Sequence, residues 1–132
     1  DVTKGGRSGA SAPRWITVND QIRGALAFAH HVSPDGSHNL LAPHESYLDF
    51  TQSSVRPVRD LLHTHELKGF HDLRAAYACE RYEQITHHLA PINGGRCYQL
   101  DRRLDQEARA QISDELGHGR IDVVSAYIGG RT

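Results

Sequence analysis

Methionine is absent from this chain of 132 residues, which opens on Asp1. A gene product ordinarily begins with Met, so the absence predicts a processed chain or, as we expect here, an excised fragment of a longer protein. Cysteine is nearly absent too: Cys79 and Cys97 form neither a CxxC pair nor a zinc-like spacing. That usage predicts a reduced, cytoplasmic protein, with one disulfide as the other arrangement two cysteines allow. No apolar run approaches the roughly 20 residues that cross a bilayer, and no signal peptide opens the chain, so no membrane partner is expected. A net positive charge is also missing, with 15 Lys plus Arg against 16 Asp plus Glu. The total therefore announces no nucleic-acid partner, although a groove needs only a local patch of positive potential.

What is present fits one domain over 1–132 with a real core and a polar surface. Residues 1–18 read as a β-hairpin: Asp1-Val2-Thr3-Lys4, a Gly/Ser-rich loop, then Pro13-Arg14-Trp15-Ile16-Thr17-Val18 with alternating character. Asn19 or Asp20 can cap a helix through Ala29, with Ile22, Leu26 and Ala29 on one face. Ser46 to His65 reads as mostly helical, with a boundary or kink at Pro57. A further helix starts near His71 or Asp72 and runs through Ile85, and Ile92-Asn93-Gly94-Gly95-Arg96 is a turn signal. Leu104, Ala108, Ile112 and Leu116 then recur at helical spacing. The expected fold class is mainly α with a small β-hairpin or sheet, that is, α+β.

Two constellations carry chemistry. His71 and Arg74 stand three apart in the first turn of a helix, where free N–H groups and the positive end of the dipole favour an anion such as phosphate. The alternative is that Asp72 merely caps that helix and Arg74 pairs with an acid. The other constellation is Leu116-Gly117-His118-Gly119-Arg120-Ile121-Asp122, followed by Tyr127. On one unbroken helix, nine residues would turn His118 and Tyr127 about 180° apart. Gly117 and Gly119 suit a helix end and Asp122 the start of a second short helix, which would return the phenol toward the imidazole. An ordinary helix-turn-helix with a core tyrosine is the plainer reading of that stretch alone.

Taken in order, Thr3-Lys4-Gly5-Gly6-Arg7 leading to Pro13-Arg14-Trp15-Ile16, Phe70-His71-Asp72-Leu73-Arg74, and Leu116-Gly117-His118 followed by Tyr127 resemble the catalytic domain of the tyrosine recombinases, the phage-integrase class. The resemblance spans nearly the whole chain and implies a DNA breaking-rejoining catalytic domain truncated at its N-terminus. It departs from the family in three ways. The family's further arginine, upstream of the lysine hairpin, has no counterpart after Asp1. The interval from Arg74 to His118 is long, which suggests an insertion around 90–103. Only five residues follow Tyr127.

The resemblance implies site-specific recombination or integration through a 3′-phosphotyrosyl intermediate, with no metal and no cofactor. Tyr127 would be the nucleophile, Arg74 and His118 would stabilise the phosphate, His71 would act as general acid/base, and Lys4 would protonate the departing 5′-oxygen. Arg7, Arg14 and Arg120 are candidates for contacts to the DNA backbone. The implied partners are double-stranded DNA and, on it, further copies of the chain in a tetramer; the implied setting is bacterial or phage-encoded. Two other classes stay open. One is a non-catalytic DNA-binding or assembly fragment. The other is a metal-dependent phosphohydrolase built from the ten histidines, among them His30-His31, His63, His65 and His87-His88.

Overall fold

The computed structural model describes residues 15–37 and 39–131. They form the helices α1 (Asp20–Val32), α2 (Tyr47–Phe50), α3 (Arg56–Thr64), α4 (Phe70–Thr86), α5 (Arg102–Leu116) and α6 (Ile121–Ile128). A π-helical turn, Thr51–Val55, and two 3-10 turns, Pro91–Asn93 and Cys97–Gln99, complete the regular structure.

The α+β expectation is corrected by this result, since the described residues are helical and include no strand. Of the hairpin expected over 1–18, residues 15–18 are irregular chain leading into α1. The rest of it lies outside the described residues. The alternating Trp15, Ile16 and Val18 suggested a strand because such residues suit a pleated, half-buried surface. Among the described residues there is no sheet for them to pack on, and Trp15 is 85% exposed.

The chain divides into two compact units, one over Thr17–Phe70 and one built on His71–Thr132. In the first, the Asn19 side chain accepts the Ile22 amide at 2.8 Å and so caps α1. Ile22 and Ala29 are half-buried on the expected face, but Leu26 of the same stripe is exposed. A capping box opens α2: Ser46 Oγ accepts from the Asp49 amide, and the Asp49 carboxylate accepts from the Ser46 amide. The Ser46 hydroxyl, which donates to the Asp49 carboxylate at 2.6 Å, and the Ser46 amide second, hold that carboxyl below its usual range. The break expected at Pro57 takes a definite form. Proline has no N–H for the carbonyl four residues back, and the ladder is rearranged in the π turn that precedes α3, with Pro57 in the first turn of α3.

The second unit holds the apolar core: Ala78 and Tyr82 of α4, Ala90 and Leu100 of the connection, Ala108, Ile112 and Leu116 of α5, and Val124, Tyr127 and Ile128 of α6. The stripe expected on α5 is the buried face, with Leu104 half-buried at its end. The turn signal at 92–96 is a close backbone crossing. A Cβ on Gly95 would lie 1.7 Å from the Leu89 carbonyl oxygen, so only glycine fits there.

Charge is also buried in this unit, and it is paired. Arg81 of α4 donates to both carboxylate oxygens of Glu115 on α5, at 3.0 and 2.9 Å. The Tyr77 hydroxyl donates to the same carboxylate at 2.7 Å. Such pairs do little for net stability against an apolar substitute, but they fix geometry, because a lone buried charge is costly. Among the described residues no helix is long and apolar enough to cross a membrane.

Candidate active site

The turn between α5 and α6 follows from its glycines. Gly117 takes the left-handed conformation at φ 72°, ending α5. Its amide donates to Asp114 at 3.0 Å and that of His118 to Ser113 at 2.9 Å, which satisfies two of the last helical carbonyls. Gly119 is also left-handed, at φ 63°. The chain then reverses into α6, which begins one residue before the expected Asp122 and carries Tyr127 on its buried side.

A third carbonyl at this helix end, that of Leu116, accepts from Arg74 Nη2 at 2.7 Å. The same nitrogen lies 3.4 Å from Nε2 of His118. An arginine can only donate, so Nε2 is the acceptor in that contact and a neutral His118 carries its proton on Nδ1. The Nε and Nη1 edge of Arg74 makes no hydrogen bond to another described residue.

The Tyr127 ring packs against two imidazoles. Its ring centroid is 5.2 Å from that of His71, tilted by 47°, and 5.5 Å from that of His118, nearly parallel at 22°. These separations lie in the range of aromatic pairs that pack favourably. Exposure falls inward from His71, which is exposed, through half-buried Arg74 and His118 to Tyr127 at 5%. Beside Tyr127, the Cys79 thiol donates to its main-chain carbonyl at 3.7 Å. Burial first, and the nearby Glu83 second, push the Cys79 thiol pKa up, which disfavours the reactive thiolate.

Four of the residues singled out in the sequence therefore converge: His71 and Arg74 from the start of α4, His118 from the turn, and Tyr127 from α6. Arg120 is exposed at the N-cap of α6, where it donates to the Asp122 carboxylate, through Nε at 3.0 Å and through Nη2. That pairing holds the Asp122 carboxyl below its usual range. Lys4, Arg7 and Arg14 lie outside the described residues. The histidine pairs are scattered: among the described residues no three His, Cys, Asp or Glu side chains come together in a metal-binding group.

Sequence reasoning missed the buried ions around this constellation. Asp105 and Arg109 stand four apart on α5, a spacing that does signal an ion pair. The Arg81–Glu115 bond joins residues 34 apart, and no local pattern reveals it. Compared with protein-family models, with curated proteins and with solved structures, the chain matches none.

Proposed function

We propose that this chain cleaves and rejoins DNA strands through a covalent 3′-phosphotyrosyl intermediate on Tyr127, as the tyrosine recombinases it resembles do. The observation that supports the reading most directly is the convergence of His71, Arg74, His118 and Tyr127 from three separate stretches of sequence.

In this reading the Tyr127 oxygen attacks the scissile phosphorus, a P–O bond to the tyrosine forms and the P–O5′ bond breaks. A tyrosine phenol is a weak nucleophile until it loses its proton, and His71, whose ring lies against that of Tyr127, accepts it. Charge building on the non-bridging oxygens is met by the uncommitted edge of Arg74 and by a hydrogen bond from His118. The departing 5′-oxygen takes a proton from Lys4, a role that rests on the resemblance alone. The phosphotyrosyl ester conserves the energy of the broken bond, so a 5′-hydroxyl reverses the step without ATP. Double-stranded DNA is the substrate, Arg120 is a backbone contact once released from Asp122, and several copies assemble on the DNA.

The test uses random-sequence duplexes carrying 5′-bridging phosphorothiolate linkages, whose sulfur leaving group cannot readily reverse the reaction. The protein encoded by the whole reading frame containing residues 1–132 is expected to retain DNA through denaturation in SDS, with the adduct mapped to Tyr127 and lost in Tyr127→Phe. An adduct undiminished in Tyr127→Phe would overturn the nucleophile, and no adduct at all would favour a DNA-binding or assembly module.

A further inference from the structure

Outside the phosphate site, the second unit buries a charged pair that the proposed chemistry does not use. Asp105 and Arg109 are 1% and 4% exposed. The Asp105 carboxylate accepts from Arg109 Nε at 3.0 Å and from the Tyr82 hydroxyl at 2.7 Å, which fixes the guanidinium against α5 and α4. Arg109 then reaches α6. Its Nη1 donates to Ser125 Oγ at 3.0 Å and to the Gly129 carbonyl at 3.1 Å. Those acceptors stand two residues before and two residues after Tyr127. Beyond them, Arg131 ties the following segment back to Asp105 at 3.4 Å and to the Leu100 carbonyl at 3.3 Å. At eight residues α6 is too short to define itself in water, so what holds it also determines how it is rotated.

We propose that Arg109, oriented by Asp105, is a positioning residue that clamps α6 on both sides of Tyr127 and so sets the phenol against His71 and His118. It acts through Ser125 and the main chain, and its buried guanidinium does not touch DNA. The geometric part stands on the hydrogen bonds alone; the catalytic consequence rests on the reading of Tyr127 as nucleophile.

The chain labelled with 3-fluorotyrosine separates the two. Its five tyrosines give five ¹⁹F resonances, of which Tyr127→Phe and Tyr77→Phe assign two. In Arg109→Lys, which keeps a cation for Asp105 but cannot span both acceptors, the Tyr127 resonance is expected to shift and broaden. That of Tyr77, held by Glu115, is expected to stay. Ser125→Ala should reproduce the change and Ser125→Thr, which restores the hydroxyl, should reverse it. An unmoved Tyr127 resonance in Arg109→Lys overturns the clamp; should that variant not fold, the same outcome in Ser125→Ala overturns it. With phosphorothiolate DNA at saturation, Ser125→Ala is expected to slow adduct formation about 10- to 100-fold at unchanged half-saturating DNA, with rescue by Ser125→Thr. A change in the half-saturating concentration at an unchanged rate would overturn the catalytic part. If the parent protein forms no adduct, the nucleophile reading fails and the ¹⁹F result alone decides the clamp.

Discussion

Arg74 Nη2 donates to the main-chain carbonyl of Leu116 at 2.7 Å, so an arginine at the start of α4 is anchored on the last residue of α5. The bond joins two parts of the chain 42 residues apart and holds the guanidinium in place within the fold itself. An arginine held in this way has already lost much of its side-chain freedom, which favours a preorganised site over one assembled on binding.

Arg74→Lys should expose that role. An ammonium retains the charge, but it has no planar fork with which to hold Leu116 and reach a phosphate at once. We predict that adduct formation by the parent protein falls about 10²- to 10³-fold, with DNA affinity little altered. Single-turnover rates beside a binding titration measure both, and an unchanged rate would count against Arg74 as the phosphate ligand.

The buried pair should outweigh any exposed one in stability. Asp105→Ala leaves Arg109 without its anion and should destabilise the fold by about 3–5 kcal/mol. Arg103→Ala, which removes a solvent-exposed partner of Glu107 at 3.1 Å, should cost about 0.5 kcal/mol or less. Urea unfolding of the two variants checks the contrast, and equal shifts would contradict it.

Two groups give stability a defined dependence on pH. Burial first, then the Glu115 carboxylate it bonds, push the Tyr77 phenol up to about 12. From about pH 10, where an unfolded tyrosine ionises, the unfolded chain sheds a proton that the folded chain keeps. This contribution is therefore complete below about pH 10 and is lost as pH rises toward 12. Tyr77→Phe should flatten that part of a stability–pH curve.

At the acid end the sign is opposite. Burial raises the Glu115 carboxyl, but the bonds from Arg81, Tyr77 and Gln111 outweigh it and leave it below its usual range. Its contribution is present above the ordinary value of 4.5 and is lost as pH falls through the folded one. Chemical denaturation between pH 3 and 6 should show Glu115→Gln with a shallower acid slope than the parent, and identical slopes would refute the assignment.

Neighbouring glycines in the α4–α5 connection should differ. Gly95→Ala forces a methyl into the Leu89 carbonyl and should cost about 1–3 kcal/mol. Gly94 is left-handed at φ 91° but faces open space, so Gly94→Ala should cost only about 1 kcal/mol of backbone strain. Thermal melts of both rank them, and the reverse order would refute the crossing.

Local signals made much of this structure readable. The Asn19 cap, the stripe on α5 and the Gly117 break each depend on residues within a turn or two of one another, and their spacing records them. The strand reading of Trp15 to Val18 failed because alternation reports what a segment could bury and not whether a sheet exists to receive it. The meeting of His71, Arg74, His118 and Tyr127 was suggested by resemblance, whereas its geometry depends on how α4 meets the end of α5. The Arg109 bridge to Ser125 and Gly129 was not legible at all, because its acceptors are a hydroxyl and a carbonyl that carry no sequence pattern.

Because α5 offers Glu115 to α4 at one end and the Asp105–Arg109 pair to α6 at the other, it serves as a common reference for both neighbours. Mutational tolerance along it should be correspondingly uneven. In a saturation library scored for folding, the exposed positions Gln106, Glu107 and Asp114 are expected to accept most polar residues, while Asp105, Arg109, Ile112, Glu115 and Leu116 accept few. Read along the helix, that tolerance would trace a fixed stripe beside a free one and mark its inward face without any knowledge of the reaction.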